Sequence, residues 1–132
     1  MAEKLLKSFL FLLSGYFFLI SGAHMVGVKL PLLFVYFDVP SYAYQDRIIS
    51  FFAFGWGVFL ATAARDPMGN RPLVQAVIIA GLVAIIWLAI NNLVTDFSGL
   101  QAGLRLWAYW AQTGILALIV LCLFLLYKRS IS

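Results

Sequence analysis

The chain is short of charge. Of its 132 residues, 11% are charged and 64% are hydrophobic. Mean hydropathy is +1.02. A soluble domain carries about a quarter charged residues, so a globule covered by polar surface in water is excluded, and lipid is the expected solvent. There is one cysteine, Cys122. A single thiol rules out an internal disulfide and says nothing about redox compartment. Its place deep in an apolar run reads as a small core or lipid-facing residue. There is one histidine, His24, which rules out bis-histidine haem within one chain.

Acidic residues are absent from the middle of every long apolar run. That argues against an exporter built on a midplane carboxylate. It also removes the usual carboxylate ligands, and no metal site is expected. The chain has no His-Glu motif, no cysteine pair, no phosphate-cradling glycine loop and no Ser-His-Asp set. Catalysis has almost nothing to stand on, so the expectation is a protein that is not an enzyme. No repeat, low-complexity tract or linker breaks the chain into domains. The net charge of +4 comes from basic residues scattered at the ends of apolar runs. That pattern reads as membrane topology and not as a nucleic-acid footprint.

What is present is four apolar runs. About 20 apolar residues cross a hydrocarbon core of roughly 30 Å. The first span runs from about Leu5 to Val28, the second from Ile48 to Ala64, the third from Leu73 to Val94, and the fourth from Leu106 to Tyr127. The expected architecture is a single all-α domain, an integral membrane four-helix bundle. The start of the first span, with Lys4 and Lys7 before the greasy core and Ser21-Gly22-Ala23 behind it, also has the pattern of a signal peptide. We read it as a retained signal-anchor helix. The turn "RDPMGNRP", residues 65 to 72, holds strong breakers and predicts a tight helical hairpin. With the N-terminus inside, the inner side holds Lys4, Lys7, Arg65, Arg71, Lys128 and Arg129, and the outer side holds Lys29, Arg47 and Arg105. This excess predicts that both termini are cytoplasmic.

Residues 29 to 46, "KLPLLFVYFDVPSYAYQD", are too short and too punctuated by Pro31 and Pro40 to cross. Their rings (Phe34, Tyr36, Phe37, Tyr42 and Tyr44) suit the headgroup layer. The segment is expected along the outer surface, partly folded over the bundle mouth as an anchor, a lid or a docking surface.

Without a hydrophobic drive between helices, close packing and polar contacts must hold the bundle. Small residues recur in each span: Ser8, Gly15 and Gly22 in the first, with Ser14 and Ser21 beside them; Ala53, Gly57 and Ala61 in the second; Ala76, Ala80 and Ala84 in the third; Ala108, Ala111, Gly114 and Ala117 in the fourth. Each predicts a face where a neighbouring backbone approaches.

Threading places the polar groups in the outer third. His24, Arg47, Asn91, Asn92 and Gln112 are the candidate site residues, with Asp38, Asp46 and Asp96 just above them. Three readings are open. The cluster is interhelical hydrogen bonding, with His24 bonded to an Asn or a backbone carbonyl. It is a polar pocket for a quinone, a lipid headgroup or another small amphiphile. Or His24 is the axial ligand of a tetrapyrrole.

The layout, with "GYFFLISGAHM" in the first span and a second span opening "DRIISFFAFGWGVFL" and closing "ATAARDP", resembles the DoxX-like group of small bacterial membrane proteins. That group includes subunits of quinone-linked oxidoreductases. The resemblance implies a partner complex or a quinone, and places Arg47 and His24 near the site. The expected function is a small accessory subunit of a larger membrane complex, bioenergetic and in the bacterial cytoplasmic (inner) membrane. It would stabilise or bridge other membrane protein subunits and the lipid bilayer. The alternatives are a self-assembled small-solute transporter or channel, and a quinone- or tetrapyrrole-binding protein.

Overall fold

The computed structural model describes residues 1–31, 33–100 and 103–132. It contains four long helices, α1 (Ala2–Met25), α2 (Ala43–Arg65), α3 (Arg71–Val94) and α4 (Leu106–Ile131), and a short 3-10 turn at Phe97–Gly99. The described residues include no strand. All four helices are long and apolar enough to cross a membrane. At 1.5 Å per residue they are roughly 35 Å or longer, so each exceeds a hydrocarbon core of about 30 Å.

Helix boundaries depart from the apolar runs where polar residues lie inside a helix. The first helix starts at Ala2 and stops at Met25, short of Val28. The second starts at Ala43, five residues before Ile48, because its first turn "AYQDR" is helical yet polar. The loop is therefore 26 to 42, and Tyr44, Gln45 and Asp46 belong to α2. The fourth continues past Lys128 and Arg129 to Ile131.

The ends have local causes. At the end of α1, Gly27 adopts φ +71°. The Val28 N–H donates to the Ala23 carbonyl at 2.9 Å, and the Gly27 N–H to His24 at 3.1 Å. This is a Schellman closure, which glycine makes without a Cβ clash. At the start of α2, the Gln45 side chain accepts the Tyr42 N–H at 3.1 Å. Between α2 and α3, Asp66 Oδ1 accepts the Gly69 N–H at 2.8 Å, and Pro72 sits in the first turn of α3, where its missing N–H costs nothing.

The helices run alternately up and down. Both termini share one end with the 66–70 turn, and the 26–42 and 95–105 connections share the other. We call these the terminal end and the loop end. Helix α1 packs most extensively on α2, and also on α4, which packs on α3; of the adjoining pairs, α2 and α3 touch least. The tightest core lies toward the terminal end, where Leu6, Leu10, Leu60, Ala63, Ala64, Val74, Leu123 and Tyr127 are buried together.

A ladder of polar contacts fixes α1 against α2. The Lys7 ammonium donates to the Arg65 carbonyl at 3.1 Å. The Ser14 hydroxyl donates to the Gly57 carbonyl at 2.8 Å. Ser21 donates to the Ser50 carbonyl at 2.9 Å, and Ser50 to the Ser21 carbonyl at 2.8 Å. Steps of seven on α1 meet steps of seven or eight on α2, so all rungs share one antiparallel register. Between the rungs Gly57 lets the helices close: a Cβ there would stand 2.7 Å from the Phe18 ring.

The small-residue faces divide. Ala53 and Gly57 of α2 are buried with Ser50 and Ala64, Ala61 is half-buried, and Ser50 and Gly57 bond α1 directly. Ser8, Gly15 and Gly22 of α1 are exposed, and so are Ala111 and Gly114 of α4. A Cβ on Gly15, Gly22 or Gly114 would meet nothing within 4 Å. The expectation that each such face receives a neighbour within the chain therefore holds for α2 and fails for these faces of α1 and α4.

Interhelical hydrogen bonds of this kind contribute about 1 kcal/mol. Ser21→Ala and Ser50→Ala should each lower unfolding stability in detergent by about that amount. The double variant should lose less than the two losses added, because the reciprocal bonds form one unit. A double-mutant cycle on reversible unfolding checks this, and additive losses would show the pair to be uncoupled.

Candidate functional site

The Schellman closure brings the last turn of α1 beside the first turn of α2, where His24 meets Asp46. Both side chains are buried, at 8% and 7% exposure. His24 Nδ1 lies 3.1 Å from Asp46 Oδ1. The second carboxylate oxygen accepts the Ser41 hydroxyl at 2.9 Å. The Lys29 ammonium stands 3.9 Å from Oδ1. It donates to the Val39 carbonyl at 3.1 Å and to the Ser41 hydroxyl. Phe34, buried, sets its ring edge-on to the imidazole with centroids 4.5 Å apart. A buried carboxylate on its own is costly; here histidine, lysine and serine satisfy it together.

The 26–42 loop enters the bundle mouth. The Tyr16 hydroxyl holds the Leu33 carbonyl at 2.9 Å. The Tyr36 hydroxyl donates to Asn92 Oδ1 at 2.8 Å. Asn92 donates on to Thr113 at 3.2 Å, and Thr113 to the Tyr109 carbonyl at 2.8 Å. The Tyr109 hydroxyl donates to the Asp38 carboxylate. Tyr36, Phe97 and Tyr109 form an aromatic triad with centroids 5.0 to 5.7 Å apart. Such pairs add about 0.5–1.5 kcal/mol each beyond area burial. The triad ties the loop, the 3-10 turn and α4 into one unit. Asp96 caps that turn, accepting Ser98 and Gly99 N–H groups. The hydrogen bond from the Ser98 side chain, then that from the Gly99 backbone, holds its carboxyl below the usual carboxylate range. The cap therefore favours the folded turn above the ordinary carboxylate pKa, and is lost as pH falls through the depressed value.

The five residues singled out from sequence fall into different places. His24 sits with Asp46 and Lys29, and its partner is a carboxylate where an amide or carbonyl was expected. Arg47 is exposed; one residue past Asp46 turns it about 100° away from the pair. Asn92 is buried in the Tyr36–Thr113 network. Asn91 is half-buried and accepts the Thr95 hydroxyl of its own helix end. Gln112 is buried beside a small cavity of about 110 Å³ that Tyr16, Leu33 and Val35 also border. Two polar clusters bridged by the loop replace a single pocket. Sequence reasoning placed Asp46 just above the cluster and Lys29 on the same side without joining either to His24, and missed Ser41. The available signal was the register: with Ser21 facing Ser50, one turn further brings His24 to Asp46.

Two larger cavities follow from this arrangement. The first, about 450 Å³, lies beneath the loop and is bordered by His24, Lys29, Ser41, Asp46, Phe34 and Tyr36 among others. The second, about 240 Å³, lies deeper between the helices, against Leu13, Trp56, Leu60, Ala80, Ala84 and Leu123 among others. Tyr16, Phe17, Leu88 and Leu116 border both. The pair therefore makes adjoining spaces, one with charged and hydroxyl groups on its wall and one almost entirely apolar. Among the described residues, no group of three or more His, Cys, Asp or Glu side chains converges as a metal site would require.

The partner on one ring nitrogen sets which tautomer a histidine adopts. Asp46 should therefore hold the neutral His24 ring with its proton on Nδ1. Nitrogen-15 NMR of the labelled protein should show that tautomer, and Asp46→Leu should release it; a proton on Nε2 in the unaltered protein would refute the assignment. Comparison with protein-family models, curated proteins and solved structures found no match.

Proposed function

We propose that this protein is a small integral membrane accessory subunit, which packs its exposed helix faces against other subunits of a larger bacterial inner-membrane complex. The observation that carries this reading is a seam on α1. Leu5, Ser8, Leu12, Gly15, Leu19, Gly22 and Val26 succeed one another at alternating spacings of three and four, and all are exposed. A seven-residue repeat keeps one stripe facing one partner along a left-handed crossing. Alternating large and small side chains offer knobs and holes. Small residues on a lipid-borne helix serve close approach of another backbone. No helix of this chain lies over Gly15 or Gly22.

The second seam of the same helix, through Lys7, Ser14 and Ser21, is already used by α2. The two seams lie one residue, or about 100°, apart. The charge distribution supports an orientation with the terminal end in the cytoplasm, since six basic residues stand there against three at the loop end. The resemblance of the sequence layout to DoxX-like proteins, some of them subunits of oxidoreductases, is the ground for proposing a bioenergetic complex. A solute path fits less well, because the mid-depth cavity has apolar walls.

Gly15→Leu tests this directly. Its Cβ meets nothing within 4 Å, so the isolated chain should lose no unfolding stability, and a gain of up to about 1 kcal/mol is expected from helix propensity. The assembly recovered from native membranes in mild detergent should break up, as read by native mass spectrometry. A lone monomer from the unaltered protein, or an assembly indifferent to Gly15→Leu, would overturn the reading. Solute flux in vesicles carrying the protein alone would favour a transporter instead.

A further inference from the structure

The geometry points to a binding site for an uncharged, single-chain amphiphile whose head presents an O–H group, with that head at His24 beneath the loop and its chain in the deeper cavity. This site is independent of the α1 seam, which lies on the outside of the bundle.

The head chemistry follows from what is already committed. Lys29 is the cation on the wall of the upper cavity, and its ammonium is engaged by Val39, Ser41 and Asp46. A phosphate or carboxylate head would therefore find no uncommitted cation there. Asp46 spends one oxygen on His24 and Lys29 and the other on Ser41, so a cationic head would have to displace them. In the tautomer that donates Nδ1–H to Asp46, the ring presents Nε2 as an acceptor. An acceptor calls for a donor, and a hydroxyl is the smallest uncharged head that donates.

The chain chemistry follows from the walls. Below the His24 level the borders become Phe17, Leu88 and Leu116, and then Leu13, Leu60 and Ala84. Both volumes are of the order that small-molecule sites have, a few hundred Å³ with apolar walls and few polar groups. The deeper cavity is bordered by all four helices, and of the adjoining pairs around it α2 and α3 are the most sparsely packed. That sparse seam is where an amphiphile dissolved in the bilayer would enter sideways, head toward the loop end. Aliphatic alcohols and phenols share this chemistry, and the test separates them.

The full-length protein in mild detergent would be titrated with tetradecan-1-ol, 4-nonylphenol, the methyl ether of tetradecan-1-ol and tetradecanoate, and one-to-one binding read by native mass spectrometry. The alcohol or the phenol should bind saturably. The ether and the carboxylate should bind about tenfold or more weakly, the loss expected for one missing hydrogen bond at a buried acceptor. Preference for the alcohol assigns an aliphatic hydroxyl, and preference for the phenol an aromatic one. His24→Phe keeps a ring against Phe34 and should reduce alcohol binding to that of the ether. Ala80→Phe fills the deeper cavity away from the head, and should weaken alcohol and phenol alike. If His24→Phe fails to fold, the ether comparison and Ala80→Phe still decide. Equal binding of ether and alcohol, tighter binding of tetradecanoate, or indifference to Ala80→Phe would each overturn the proposal.

Discussion

Register between α1 and α2 is the constraint on which the rest of the structure depends. Between two apolar helices in lipid, sliding exchanges one set of methyl contacts for another at little cost. Here sliding by a single residue would unmake the hydroxyl–carbonyl pairs at Ser14, Ser21 and Ser50 together. It would also draw His24 away from Asp46 and leave a buried carboxylate short of a partner. Leaving such a group unsatisfied costs more than any one of the bonds contributes. The ladder therefore acts as a set of stops, and the close approach at Gly57 holds the helices at the separation where those stops engage.

The loop inherits its position from that register. Lys29 and Ser41 reach it through Asp46, Phe34 through His24, and Leu33 through Tyr16 on the same helix. On the far side, Tyr36 and Asp38 fasten it to α3 and α4. Helices α3 and α4 have one polar cross-tie near the terminal end, from Gln75 to the Tyr127 hydroxyl at 2.9 Å. The bundle is thus firmly keyed on the α1–α2 side and sparsely packed between α2 and α3, while all four helices border the space at mid-depth.

Much of the fold was legible. Four long apolar runs separated by Pro31, Pro40, Asp66-Pro67 and Gly69-Asn70 give four helices by length and punctuation alone. The site was less so. Hydropathy measures where a helix is greasy, and the first turn of α2 is not, so Asp46 read as loop and escaped pairing with His24. Arg47, its neighbour, drew attention as a charge at the mouth of a span and proves to be exposed. The small residues of α1 announced close packing. They carried no label for which stripe a helix of the same chain would take, because Ser14 and Gly15 differ by one step around the helix. Nothing local in "LPLLFVYFDVPSYAY" shows that Tyr36 will meet Tyr109, a contact that depends on how the whole mouth closes.

The His24–Asp46 pair also sits where two helix dipoles come together. Helix α1 ends at the loop end and brings its partial negative charge there, while α2 begins there with its partial positive charge. The imidazole belongs to the last turn of α1 and the carboxylate to the first turn of α2. The carboxylate therefore stands at the pole that suits it, and the short contact to the imidazole joins the two poles. The field of one helix is cancelled close to its source by the field of the other. Three basic and three acidic residues at this end add no net charge. The mouth of the bundle is consequently an electrically quiet place in an otherwise basic protein, with the whole excess of positive charge left at the opposite end.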